Sequence, residues 1–99
     1  MTVDKILIEA IITVDIFCRW EADPKAYRIY IDDELLTERT YHWRNTDQYV
    51  KENIVIAASP GAHQFRLESV DPKFQGFYWQ NFTIDNRPIS ADNGQFVLN

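Results

Sequence analysis

Two histidines, one cysteine, three serines and a scatter of acids are the side chains of this 99-residue sequence that could supply catalytic or metal chemistry. His42 stands among aromatics in TYHW, and His63 follows Pro60-Gly61-Ala62. Neither falls in HExxH, HxH or a Cys/His spacing of the kind zinc uses. Both read as partly exposed strand histidines. Ser59, Ser69 and Ser90 lack the sharp strand-to-helix context of an activated serine, and Cys18 has no basic neighbour on its own face. Cys18 instead reads as a small buried hydrophobe, and a lone cysteine allows no intrachain disulfide. The expectation is a protein that is not an enzyme.

Carboxylates offer a second chemistry. Asp32-Asp33-Glu34 are adjacent, whereas glycoside hydrolysis needs two carboxylates facing each other across a cleft, so these three read as a turn. Calcium takes oxygen ligands from acidic loops, and Asp32, Asp33, Asp47, Asp71, Asp85, Asn86, Asp92 and Asn93 are on offer without any DxDxDG string. Asp32, Asp33 and Asp85 are the candidate metal ligands, calcium being the one cofactor to consider. A third chemistry is aromatic. Tyr41, Trp43, Phe74, Phe77, Tyr78, Trp79 and Phe82 fall at strand ends and in one loop, and Trp or Tyr faces can stack on sugars or anchor a protein interface. Tyr41, Trp43, Tyr78 and Trp79 are therefore the candidate ligand-binding residues. Asn81-Phe82-Thr83 matches a glycosylation acceptor, which without a secretion signal is expected to go unused.

The elements that must carry these residues are strands. Between Lys5 and Trp20 every even position is apolar (Ile6, Ile8, Ala10, Ile12, Val14, Ile16, Cys18, Trp20), and only a period of two collects them on one side. Sixteen residues is long for one strand, so a bulge or bend is expected near Thr13 to Asp15. Pro24 ends it. Tyr27 to Asp32 alternates with Tyr27, Ile29 and Ile31 on one face, the acids 32 to 34 turn, and Leu35 to Trp43 returns as a hairpin partner. Residues 44 to 48 form a loop. Tyr49 to Ala58 alternates next, with Val50, Ile54 and Ile56 inward and Lys51 and Asn53 outward. Pro60-Gly61 suits a type II turn, and residues 63 to 70 then read as the second half of another hairpin. After a loop at 71 to 76, Phe77 to Asp85 is a strand whose faces are both partly aromatic, so either Tyr78 and Phe82 or Phe77 and Trp79 point away from the core. Asn86-Arg87-Pro88 turns, and Gln95 to Leu98 closes as an edge strand.

Seven or eight strands with turns every 8 to 12 residues predict one all-β domain over residues 1–99, an antiparallel β-sandwich of jelly-roll type. Its expected core is Ile6, Ile8, Ile12, Val14, Ile16, Ile29, Ile31, Ile54, Ile56, Phe65 and Leu67. The composition is globular, with 45% apolar, 25% charged and 14% aromatic residues. A net charge of −5 with basic residues scattered singly argues against nucleic acid or an anionic membrane as partner. Met1 leads directly into TVDK and the apolar run behind it alternates with charges, so neither signal peptide nor membrane helix is expected. The expected location is the cytoplasm or the interior of a virion.

The stretches YRIYIDDELL, YVKENIVIAASPGAHQF and NFTIDN resemble the small jelly-roll modules of the calcium-dependent carbohydrate-binding kind, over about two thirds of the chain. That resemblance implies a sugar ligand and bound calcium, although here the acids are dispersed rather than grouped in loops. In its short, acidic, Trp-containing make-up the chain also resembles small proteins of marine cyanophages, which implies a structural or assembly role. Two functions are therefore expected as alternatives: a non-catalytic structural protein working through protein contacts, or a carbohydrate-binding module. Leu7, Ile11 and Phe17 lie opposite the core register of the first strand, and apolar surface of that kind usually marks an interface. A homodimer or higher closed oligomer is the resulting expectation, with Leu7, Ile11, Phe17 and one of Trp79 or Tyr78 in contact.

Overall fold

The computed structural model describes residues 7–19, 24–42, 49–89 and 93–98, and within them the chain is all β. Eight strands follow in order: β1 (Ile8–Cys18), β2 (Lys25–Ile31), β3 (Glu34–Tyr41), β4 (Val50–Ala58), β5 (Gly61–Ser69), β6 (Phe77–Ile84), β7 (Arg87–Pro88) and β8 (Gln95–Leu98). They form two four-stranded sheets, ordered β4-β1-β6-β7 and β3-β2-β5-β8, with every pairing antiparallel. The expected sandwich is thus the fold, with the strand number and two-layer arrangement of a jelly roll.

The period-two pattern of β1 does what it requires. Ala10, Ile12, Val14, Ile16 and Cys18 are buried, and they meet Tyr27, Ile29, Ile31 and Phe65 of the facing sheet in one core. Ile8, Ile54 and Leu67 pack half-buried against it, and Ile6 lies outside the described residues. Strand β1 pairs with β4 without interruption from Ile8 opposite Ala58 to Ile16 opposite Val50. Against β6 the register slips between Thr13 and Asp15, where the bend was expected. The extra residue belongs to β6, however, where Asn81 takes a left-handed conformation at φ 56°. That bulge resets the alternation of β6, so Phe77 and Trp79 point inward before it and Phe82 and Ile84 after it. Of the four bulky aromatics from 77 to 82, only Tyr78 faces outward.

Three connections differ from the sequence reading. The turn after β2 uses two residues, Asp32 and Asp33, both at positive φ (51° and 68°), and Glu34 already belongs to β3. This is the two-residue hairpin whose twist matches that of the strands, and Asp tolerates it better than most side chains. Asp85 and Asn86 (φ 50° and 66°) repeat the device between β6 and β7, so Arg87 and Pro88 stand in a short strand rather than in the turn. The larger correction concerns β4 and β5, which lie in different sheets and do not form a hairpin. Ser59 and Pro60 carry the chain across the sandwich, and Gly61 accepts φ 116° on arrival. Alternation shows which side chains face the core, and that side is the same whether the chain turns back or crosses over.

Candidate functional site

The outward register of the β4-β1-β6-β7 sheet forms a face built row by row from cross-strand partners. At one end Phe17 of β1 stands opposite Tyr78 of β6, their rings nearly parallel (8°) with centroids 5.1 Å apart. Tyr49 approaches Phe17 from the β4 side at 5.2 Å, and the Arg19 guanidinium lies 5.7 Å from the centre of the Tyr78 ring. The next row is polar. Asp15 is buried on this face, accepting a 2.8 Å hydrogen bond from Asn81 Nδ2 at Oδ2 and facing Lys51 Nζ at 3.3 Å from Oδ1. Beyond it Thr13 donates to Asn53 (3.1 Å), and then Ile11 pairs with Val55, both exposed to solvent.

Ile11 is anchored at both backbone groups. Its N–H donates to Asp85 Oδ1 at 2.9 Å, and its carbonyl accepts from Asp85 N–H at 2.9 Å. The exposed Leu7 precedes the same strand. The three residues expected at an interface, Leu7, Ile11 and Phe17, therefore belong to one sheet and lead to one face. Sequence reading missed Val55, which at 72% is the most exposed large hydrophobic residue among those described. Its signal was the run Ile54-Val55-Ile56, which puts an apolar side chain on each face of β4.

The expected ligand-binding aromatics are not brought together. Tyr41 is wholly buried and packs in the core, which corrects its reading as a stacking platform. Trp79 points inward and meets Phe65 and Phe82 edge-on. Tyr78 alone reaches the outer face, and Trp43 lies outside the described residues. The expected calcium ligands are likewise apart. Asp32 and Asp33 occupy the β2–β3 turn, while Asp85 occupies the β6–β7 turn of the other sheet. Asp32 accepts from the Gln64 N–H at 2.8 Å through Oδ1 and from His63 Nδ1 through Oδ2, and Asp33 lies 3.5 Å from Arg66. Among the described residues no three His, Cys, Asp or Glu side chains are grouped so as to hold a metal ion.

Two polar clusters on the inner side were not foreseen. Glu52, on the inward register of β4, is buried and receives Tyr27 Oη at 2.8 Å together with Arg39 Nε at 3.1 Å and Nη2 at 3.0 Å. The Arg39 fork thereby ties β3 to β4 across the sandwich edge, in the bidentate geometry that guanidinium and carboxylate favour. Burial first, and the neighbouring carboxylate second, push the Tyr27 phenol far above its ordinary range. The second cluster centres on His63, buried rather than half-exposed as its sequence context suggested. Nδ1 faces the Asp32 carboxylate and Nε2 lies 2.6 Å from the Ser59 carbonyl. Both partners only accept, so making both bonds requires the imidazolium. The bond to Asp32 and then that to Ser59 raise the His63 pKa against the opposing effect of burial. For Asp32, partial burial acts upward but the bonds from His63 and Gln64 prevail, and its pKa is lowered.

Comparison with protein-family models, with curated proteins and with solved structures finds no match to this chain. Within the described residues, fold and site define a class: an eight-stranded antiparallel β-sandwich with an aromatic stack and exposed apolar residues on the outer side of one sheet.

Proposed function

We propose that this protein is a non-catalytic structural or assembly β-sandwich that acts through protein contacts, a second copy of itself being the first partner. The observation that carries this reading is the aromatic stack on one outer face, with exposed apolar residues on the same sheet. On the β3-β2-β5-β8 sheet, Arg28 pairs with Glu38 at 2.5 Å, Arg66 pairs with Glu68 at 3.0 Å, and Arg66 covers the Tyr30 ring at 4.2 Å. Its ion pairs suit water, and of its large apolar side chains Leu35 and Val97 stand exposed on the same sheet without an aromatic stack. On the other sheet Tyr49 joins the Phe17–Tyr78 stack at one end, and beyond two polar rows Leu7, Ile11 and Val55 stand exposed at the other, apolar surface of the kind that marks an interface. Sedimentation equilibrium at micromolar concentration tests the reading. An oligomer that Ile11→Glu or Val55→Glu dissociates supports it, and a single 11.7 kDa species refutes it.

A carbohydrate-binding role is the second reading, favoured by one observation: Tyr78 lies beside the Lys51, Asp15 and Asn81 row, and an aromatic ring next to fixed polar groups is what a sugar requires. Against it, Tyr49, Phe17, Tyr78 and Arg19 follow one another so closely that neighbours occupy ring faces a sugar would use. A glycan array with and without calcium, beside melting curves in calcium and in chelator, separates the two readings. A calcium-dependent module gains several degrees in millimolar calcium, since a ligand of the folded state alone stabilises it by mass action.

A further inference from the structure

A sheet edge presents unpaired backbone donors and acceptors, and proteins usually blunt such edges with short strands, prolines, bulges or charges. Among the described residues the two sheets present four edge strands. Strand β7 is two residues long and contains Pro88, and β8 is four residues long. Strand β3 is bulged opposite Ile29 and Tyr30 and carries the exposed Glu34, Glu38 and Arg39. Strand β4 has the least of these protections, its charges being confined to Lys51 and Glu52 near one end. It runs nine residues without proline or glycine, pairs with β1 without a slip, and is uncharged from Asn53 through Ala58. Its two charges are already engaged, Lys51 with Asp15 and Glu52 with Tyr27 and Arg39. Among the described residues no strand pairs with its free side; Arg39 of β3 reaches across only at Glu52, and along Val55 to Ala58 a cleft of about 210 Å³ separates the strand from Glu34 and Leu36.

Resting on the assembly reading above, we infer that β4 is an open edge which a second copy's β4 completes, antiparallel about a twofold axis at Val55, to give one continuous eight-stranded sheet. Facing side chains on paired strands must share a side of the sheet, so the axis passes through a residue rather than between two. With the axis at Val55, the rule that partner numbers sum to a constant sets Val55 against its copy and Ile54 against Ile56. Glu52 then meets Ala58, and Lys51 meets Ser59, so no like charges are opposed. Moving the axis to Asn53 sets Glu52 against Ile54 and Lys51 against Val55, a poorer match. The Val55 register also joins the outer apolar pairs into one strip, Ile11 and Val55 of one protomer running into Val55 and Ile11 of its partner. Self-pairing in this register thus opposes no like charges and sets the apolar residues Ile54, Val55 and Ile56 against one another.

The experiment is cysteine cross-linking alongside sedimentation equilibrium. Opposed residues of antiparallel strands have Cα atoms about 4.5 to 5.5 Å apart, within the reach of a disulfide. Val55→Cys is expected to give a covalent dimer under mild oxidation. Asn53→Cys, which pairs with Ala57 and lies about 13 Å from its own copy along the strand, is expected to give none. Val55 is solvent-exposed and the native Cys18 is buried, so neither the fold nor a competing thiol interferes. Val55→Lys sets two ammonium groups against each other at the axis and is expected to weaken the dimer on the order of a hundredfold. An oligomer in which Val55→Cys fails to cross-link, or Asn53→Cys succeeds, overturns the edge pairing and leaves the assembly reading standing. A monomer at all concentrations overturns both.

Discussion

His63 and Glu52 each hold two elements together through charge that is largely withdrawn from solvent, and each makes stability depend on a proton or on a partner. For His63 the folded pKa is raised, so its contribution is complete below the unfolded value of about 6.5 and is lost as pH rises through the folded value. Asp32 has a lowered folded pKa, so its contribution is present above the ordinary carboxylate value and is lost as pH falls through the folded one. The pair is therefore tightest between those two limits, in mildly acidic to neutral solution. His63 ring signals followed by NMR are expected to titrate above the usual histidine range, and Asp32→Asn to bring them back into it; titration at or below that range in the native chain would contradict the geometry. Glu52 allows a different check. Removing either partner of a buried hydrogen bond costs about 1 to 3 kcal/mol, whereas removing both can be nearly neutral. Tyr27→Phe and Glu52→Leu are each expected to destabilise by roughly that amount, and the double variant by less than their sum. Additive losses in urea unfolding would show that the two groups do not depend on each other.

At the scale of elements, alternation made the strands legible and left their assignment to sheets hidden. The even positions of β1 and the triplet Tyr27, Ile29, Ile31 are core in the structure as in the sequence. The crossover at Ser59 and Pro60 was not visible, because a turn and a crossover keep the same residues facing inward. The bulge at Asn81 was equally silent: a left-handed asparagine inside a strand leaves no periodic trace, yet it turns Phe82 into the core and points its own amide at Asp15. Asp32-Asp33 was legible as a turn because acids tolerate positive φ. The outer face was partly so. Leu7, Ile11 and Phe17 stood out against a clean apolar register, whereas Val55 was masked by apolar neighbours on both sides. Strand β8 depends on a single glycine. Gly94 sits at φ 77° with its carbonyl accepting from Phe65 N–H at 2.7 Å, and a Cβ there would lie 2.2 Å from the Phe65 carbonyl oxygen. Gly94→Ala is thus expected to displace β8 and to lower the thermal midpoint by several degrees, with Phe96 and Leu98 losing their burial. An unchanged midpoint and unchanged amide protection of residues 95 to 98 would show that β8 is held by something else.

For the molecule as a whole, the question is where its apolar surface goes. The sandwich hides one side of each sheet; the outer side of the β3-β2-β5-β8 sheet carries ion pairs together with the exposed Leu35 and Val97, while that of the β4-β1-β6-β7 sheet carries Ile11 and Val55 and the Phe17–Tyr78 stack beside its open β4 edge. A net charge of −5 offers only weak repulsion between copies at physiological salt, where screening sets in beyond about 8 Å. Assembly through this sheet or its β4 edge would involve the folded state alone, and stability would then rise with protein concentration. A hundredfold increase above the dissociation constant contributes about 2.7 kcal/mol per dimer, which shared between two chains of this size corresponds to roughly 5 to 10 °C in thermal midpoint. The native chain is expected to show that shift in melting curves from micromolar to hundreds of micromolar. The variant carrying Ile11→Glu and Val55→Glu, both at exposed positions, is expected to keep its far-ultraviolet spectrum and lose the concentration dependence. Glu68→Ala, on the charged face, is expected to retain it. Melting that is independent of concentration in the native chain would mean that this face stays in water and that the exposed row has no partner in a second copy.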